Sequence, residues 1–245
     1  WRAALVLGED LRIWDMGADG ALGPPRSLPA PDLSRLPGPV IAAGLDIAPR
    51  PVPCPPLAPT THVPGVPGVA AIPPLSQADP AALSRGAEVA LAGYLALHPR
   101  WDGVILVCGP ETLWAHCSAG EVVSFVTFLT PQLCAALGVG STPGEAFDAA
   151  LSQTLSRPEA LARHLASARA AGTGQEAAHL IGAEIAAAKP YWLGQDVVIL
   201  GDDTGAYAAA LAAQGVAARA GDLDRARLRG FGLVWDDLTQ PPSSR

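Results

Sequence analysis

Lysine is nearly missing from this sequence: Lys189 is the only one among 245 residues, and the other cations are arginines. Many phosphate sites use a lysine as a compact point charge, so its scarcity bears on any such site here. A surplus of positive charge is missing as well. The formal net charge is −7, which argues against a nucleic-acid groove, where clustered Lys and Arg offset the phosphates. Paired cysteines are absent, since Cys54, Cys108, Cys117 and Cys134 form no Cys-x-x-Cys. His116 beside Cys117 falls short of the roughly four converging ligands of a zinc site. These cysteines are read as buried free thiols in a reducing compartment. No apolar run reaches the roughly 18 residues of a membrane helix, and no basic-then-apolar signal segment opens the chain. The expected location is cytoplasmic, with no membrane partner. Because the chain begins at Trp1 without methionine, a few residues are expected ahead of it. Gly-x-Gly-x-x-Gly and Walker-A runs are missing too; Gly138, Gly140 and Gly144 fit neither, so dinucleotide and hydrolase chemistry gain no support.

What is present is apolar material. Hydrophobic residues make up 49% and charged residues 16%, enough for a packed core in one large or two small domains. Residues 3–7 and 11–15 read as strands of a β-hairpin, with a turn at Ala18-Asp19-Gly20, and 40–43 as a further strand. Residues 49–74 are dense in proline, which fixes φ and lacks the amide donor, so the stretch is expected to hold neither helix nor central sheet. Val52, Leu57, Val66, Val69 and Ile72 could anchor it, which predicts an ordered extended crossing. Leu83, Ala87, Ala90, Leu91, Tyr94 and Leu95 fit one helical face over 80–97, with Asp79 as N-cap and Pro80 in the first turn.

Three strands at 103–107, 114–116 and 122–129, with a turn at Ser118-Ala119-Gly120, predict an antiparallel meander. Helices follow at 131–137, 144–155, 158–171 and 174–188, then a strand at 197–200, a helix at 204–214 and a short strand at 216–218. The end of the chain is polar, and Arg225, Arg227 and Arg229 read as a solvated helix face. Each half opens with antiparallel strands entered through a glycine turn and then adds helices. The expected architecture is therefore α/β and two-lobed, with lobes over 1–98 and 99–245 and a cleft between them.

Several segments, in collinear order, resemble the 2-keto-3-deoxygalactonate kinases. The stretch from Gly8 to Trp14 is similar to that family's Asp-Trp-Gly-Thr-Ser-x-Leu-Arg-x-Trp turn at Leu11, Arg12 and Trp14. The stretch from Val52 to Ala58 is similar to its proline segment. In 73–88, Gln77, Asp79, Pro80, Arg85, Gly86 and Glu88 match. Residues 107–114 resemble its second phosphate loop, and 125–130 the strand after it. Leu180 to Ile185 matches Leu-Ile-Gly-Ala-Glu-Ile throughout. Residues 197–211 resemble its adenosine-motif strand, turn and helix, Tyr207 included.

The resemblance implies the actin-like, ribonuclease H-like sugar-kinase ATPase fold. It also implies phosphoryl transfer from ATP, with Mg²⁺, to the terminal hydroxyl of 2-keto-3-deoxygalactonate, a reaction that rests on positioning and charge neutralisation. The partners expected are the sugar acid and ATP, with a homodimer left open. Carried over, Gly8, Gly109, Thr112, Gly182, Gly201 and Asp202 are nucleotide candidates. Gln77, Asp79, Arg85 and Glu88 are sugar-acid candidates.

Departures from the family pattern fall on the phosphate chemistry. Val6 stands where the first-loop Asp aligns, and Glu9-Asp10 replace Thr-Ser. Asp10 is the remaining candidate for a catalytic or metal-associated carboxylate, against a solvated turn residue. In the second loop Pro110, Glu111, Thr112 and Leu113 replace Thr-His-Ser-Lys. Pro131-Gln132 replace Gly-Glu, Ala87 replaces the first Glu beside Arg85, and the loop over 44–50 is shortened. Residues 201–204 are read either as an adenosine contact or as a strand-to-helix turn capped by Asp203. Gly182 is read as a phosphate neighbour or a packing glycine, and Glu184 as a matched family residue or, as easily, a surface carboxylate. Arg85 and Glu88 either hold the sugar acid or pair with each other along a helix. Two functions stay open: an ATP-dependent sugar-acid kinase, and a pseudokinase that binds a sugar acid or a partner.

Overall fold

A computed structural model describes every residue except 19, 64, 65, 141, 142, 144, 203 and 240–245; the expectations that fall on Asp19, Gly144 and Asp203 lie outside the described residues. β1 (Arg2–Leu7) and β2 (Asp10–Asp15) form the antiparallel hairpin, turned at Gly8 with φ 67°. β3 (Arg26–Pro29) joins β2, and after a 3-10 turn over Ala30–Arg35, β4 (Val40–Ala43) runs parallel to β1. The proline-rich stretch and the residues after it make short strands: β5 (Arg50–Pro51), β6 (Thr61–His62), β7 (Val69–Ala71), β8 (Leu75–Gln77) and β9 (Ala82–Leu83).

The exclusion of central sheet from 49–74 fails at β7, which pairs with β4 on one side and β6 on the other. Val69-Ala70-Ala71 contains no proline, so its amides can donate on a ladder. The helix expected over 80–97 begins only at α1 (Ala87–Leu97), with Gly86 as N-cap. Residues ahead of it pair β8 with β9, and Asp79 and Pro80, joined by a cis peptide, lie in the turn between. Arg85 (φ 45°) and Gly86 (φ 95°) are left-handed, which a right-handed helix cannot pass through.

β10 (Gly103–Cys108), β11 (Thr112–Ser118) and β12 (Glu121–Phe128) form the expected meander. Then come α2 (Thr130–Leu137), α3 (Glu145–Ser156), α4 (Leu161–Ala171), α5 (Glu176–Ala187), α6 (Lys189–Trp192), β13 (Val197–Leu200) and α7 (Gly205–Ala212). The last strand is β14 (Arg219–Gly221), not 216–218. Gly221 lets it dock on β13, since a Cβ there would reach Val198 Cγ1 at 3.3 Å. The chain continues in α8 (Leu223–Thr239), where the sequence shows a polar end. Leu223, Ala226, Phe231 and Val234 make its buried stripe, and Arg227 is buried with them at 7% exposure. The three arginines are therefore not one solvated face.

The chain divides into two compact units. The first holds Trp1–Trp101, Ser118–Ser124 and α8; the second holds Asp102–Cys117 and Phe125–Asp222. A simple division after residue 98 does not anticipate the returns of 118–124 and α8 to the first unit. In the first unit the sheet order is β3-β2-β1-β4-β7-β6. One face (Leu5, Trp14, Ile41, Ile72) packs on Val89 of α1 and Phe231 and Val234 of α8. The other face (Ala4, Leu11, Ile13, Val40, Val69) is covered by Leu33 of the 3-10 turn. This alternation follows the period of two along each strand.

In the second unit the order is β12-β11-β10-β13-β14, and Val104, Leu106, Val197 and Ile199 pack on Leu151, Ile181 and Tyr207 of α3, α5 and α7. Both sheets therefore run from a hairpin-joined trio into parallel strands, which is the repeat of order visible in the sequence. No helix among the described residues is long and apolar enough to cross a membrane.

Candidate functional site

In open sheets of this kind ligands gather at the carboxyl ends of parallel strands. In the second unit those ends belong to β10 and β13, paired at Val107 and Leu200. Beyond them lie a turn over 109–111 and a second turn that opens at Gly201. Gly201 packs against the end of β10: a Cβ on it would stand 2.7 Å from Cys108 Cβ, so only glycine fits there. The Gly109 amide is turned inward onto the Glu111 carbonyl at 3.1 Å, and Pro110 has no amide to offer. Asp202 is exposed.

Thr112 is fully buried, and its hydroxyl donates to Glu184 Oε1 at 2.6 Å. Trp114 Nε1 donates to the same oxygen at 2.8 Å, and the Tyr207 hydroxyl to Oε2 at 2.8 Å. Glu184 is therefore no surface carboxylate: it is 2% exposed and holds three donors from β11 and α7. Burial, with the carboxylate beside it, pushes the Tyr207 phenol well above its ordinary range, which keeps it a donor. The Thr112 side chain faces this network, and only its backbone borders the turn. Gly182 is a packing glycine: a Cβ there would sit 2.6 Å from the Leu151 carbonyl, and its absence lets α5 lie on α3.

In the first unit the equivalent strand ends belong to β1 and β4. Gly8 is exposed, and a Cβ there would meet nothing within 4 Å. Asp10 opens β2 with an exposed side chain. Among the described residues no group of three His, Cys, Asp or Glu could hold a metal ion. Gly44 follows β4 and lies so close to Val6 that a Cβ would come within 3.2 Å of the Val6 carbonyl carbon. Gly86 lies 3.4 Å, measured from the Cβ it lacks, from the Gly44 amide nitrogen.

Beside these glycines is Glu88, which is fully buried. Its Oε2 accepts from the Ser84 hydroxyl and from the Gly86 amide at 2.9 Å, while its Oε1 has no hydrogen-bond partner. The helical pairing considered for Arg85 and Glu88 does not arise, because Arg85 precedes α1 in a left-handed conformation. Arg50 is the cation whose charge acts on Glu88; its guanidinium donates to the Pro55 and Pro56 carbonyls at 2.8 and 3.0 Å, and its Nε has no partner. Gln77 donates to the Asp79 carbonyl at 3.0 Å, within the β8–β9 turn, and the Asp79 side chain is exposed.

Sequence reading missed the Glu184 network and the placing of Arg50 near Glu88. The residues of each are far apart in the chain, and the usable signal was only that Glu184 and Tyr207 lie in matched segments.

Burial raises the Glu88 carboxyl from 4.5 to about 7, against the opposing pull of Ser84, the Gly86 amide and Arg50. A folded-state value above the unfolded one means that the native state holds the extra proton between the two. Stability contributed by this group is therefore present below about pH 4.5 and lost as pH rises through 7. The expected difference is on the order of 3 kcal/mol. Denaturant unfolding at pH 5 and pH 8 checks it: the stability lead of wild type over Glu88→Gln should shrink by about that amount at the higher pH. An equal lead at both pH values would contradict this burial.

Residues 41–234 match the family model described as 2-keto-3-deoxy-galactonokinase. A crystal structure of a proposed 2-dehydro-3-deoxygalactonokinase from Sinorhizobium meliloti superposes with a TM-score of 0.84 at 22% identity, covering 98% of this chain and 100% of that one. Component A of (R)-2-hydroxyglutaryl-CoA dehydratase from Acidaminococcus fermentans superposes with a TM-score of 0.54 at 10% identity, covering 98% of each chain. No curated protein matches the sequence. The fold is the α/β actin-like ATPase fold.

Proposed function

The chain belongs to the 2-keto-3-deoxy-galactonokinase family, and from that premise we propose that it transfers the γ-phosphoryl group of ATP to the terminal hydroxyl of 2-keto-3-deoxygalactonate, in galactonate breakdown. The observation that carries this reading is the pairing of β10 and β13 up to their carboxyl ends, with Gly201 packed on Cys108, in a chain of this family. The turn over 109–111 and the turn that opens at Gly201 are assigned to the nucleotide, with Gly109, Gly201 and Asp202 nearest it. In the first unit, Gly8 at the β1–β2 turn is assigned to phosphate. Thr112 is turned onto Glu184 and Gly182 packs α5 on α3, so neither is assigned to the nucleotide. Gln77, Asp79 and Arg85 are assigned to the sugar acid, with the exposed Arg85 suited to a carboxylate; Glu88, fully buried, holds Ser84 and the Gly86 amide beside them.

ATP supplies the phosphoryl group. Mg²⁺ would arrive on the nucleotide phosphates, which supply most of its ligands, and the exposed Asp10 is the carboxylate of this chain suited to meet it. The chain's own contribution is positioning and exclusion of water.

A second reading is favoured by one observation: at the turn expected to meet the phosphates, the Gly109 amide and the Thr112 hydroxyl are both committed inward. On that reading the protein is a pseudokinase that keeps a sugar-acid or partner surface. ADP release measured with ATP, Mg²⁺ and 2-keto-3-deoxygalactonate separates the two. Release that depends on the sugar acid supports the kinase. No release, together with no heat of ATP binding by calorimetry, sinks it in favour of the second reading.

A further inference from the structure

We propose that Glu184 is a positioning residue for the nucleotide, its carboxylate tying the turn after β10 to the turn after β13. This rests on the reading that those two turns receive ATP. Thr112 stands directly after the turn 109–111, Trp114 follows on the same strand, and both donate to Oε1 at 2.6 and 2.8 Å. Tyr207 lies in the first turn of α7, after the turn that opens at Gly201, and donates to Oε2 at 2.8 Å. The two oxygens of one rigid carboxylate thus hold one turn each.

At 2% exposure Glu184 does not itself reach a ligand; it acts through what it holds. Its three donors are all neutral groups. Desolvating a carboxylate without a cation is a costly way to fill a core, whereas a satisfied buried network fixes geometry. Phosphoryl transfer is sensitive to misplacement of the reacting groups by about 1 Å, so a tie between the turns has a use that apolar packing would not supply.

The test compares Tyr207→Phe, Thr112→Val and Thr112→Ser. Tyr207→Phe cuts the α7 side of the tie, Thr112→Val removes the donor next to the turn on the β11 side, and serine restores that hydroxyl. The expected result is an ATP KM raised about tenfold in Tyr207→Phe and Thr112→Val, an unchanged KM for the sugar acid, and recovery of most of the loss in Thr112→Ser. If Tyr207→Phe and Thr112→Val lower the melting temperature while ATP KM stays within about twofold, the residue is structural only and the proposal is overturned. If wild type neither turns over nor binds ATP, the kinase reading has failed, and the tie is judged by hydrogen exchange. Exchange at the amides of 109 and 111–113 that speeds up in Tyr207→Phe, a substitution on α7, supports it. Unchanged exchange there overturns it.

Discussion

Replacing Gly93 by valine is expected to cost at least about 3 kcal/mol and to lower the melting temperature by about 10 °C or more. Gly93 on α1 faces α8 so closely that an added Cβ would come within 2.7 Å of both the Ala226 carbonyl carbon and the Gly230 nitrogen. Gly230 answers from α8, where a Cβ would stand 2.9 Å from the Val89 carbonyl carbon. These are backbone atoms, and no rotamer change can clear them. The helices must separate, and with them Val89 leaves Phe231 and Val234, which jointly cover one face of the first sheet. The control is Gly232→Ala on the same helix, where an added Cβ meets nothing within 4 Å. There the alanine is expected to raise stability by up to about 1 kcal/mol, because glycine is a poor helix former. Thermal unfolding of both variants checks the pair. A Gly93→Val protein melting with wild type would mean that α1 and α8 do not cross on their backbones.

Glu184→Ala is the second large expected loss, about 4 kcal/mol or more by denaturant unfolding. Each buried donor left without an acceptor costs about 1–3 kcal/mol, and the missing side chain adds a cavity. Thr112 and Trp114 would both lose their acceptor on β11, and Tyr207 its own on α7. Glu184→Gln separates volume from charge. Its amide oxygen can accept from Thr112 and Trp114, and its NH₂ can donate to a Tyr207 hydroxyl that has rotated. The expected cost is then about 1 kcal/mol, the difference between charge-assisted and neutral hydrogen bonds. Equal destabilisation by Ala and Gln would mean that the charge, not the bonding, holds the network.

The parts of the fold that announce themselves in the sequence are those whose apolar residues repeat without interruption. The hairpin of β1 and β2, the meander of β10 to β12 and the strand β13 are of this kind. α8 was hidden because Arg225, Arg227 and Arg229 interrupt its stripe, and one of them, Arg227, is buried. The start of α1 was misplaced because Leu83 continues the helical spacing of the residues after it, while the backbone at Arg85 and Gly86 turns left-handed. β7 was discounted for its neighbours' prolines although it contains none.

At the candidate site, the glycine turns were legible because tight turns at strand ends select glycine. The roles of Thr112, Glu184 and Glu88 were not. A hydroxyl or carboxylate reads the same in sequence whether it faces a ligand or a buried neighbour, and here tertiary packing turns all three inward.

The first unit is not a continuous stretch of chain: its sheet is complete by residue 101, but the helix that seals one face of that sheet is α8, after the whole of the second unit. On the ribosome Leu5, Trp14 and Ile41 of the first sheet therefore have the cover of Val89 on α1 but lack that of Phe231 and Val234 until α8 has been made. The second unit, closed within Asp102–Cys117 and Phe125–Asp222, can settle meanwhile. A chain truncated ahead of residue 223 loses more than a tail, since one face of the first sheet is left without Phe231 and Val234.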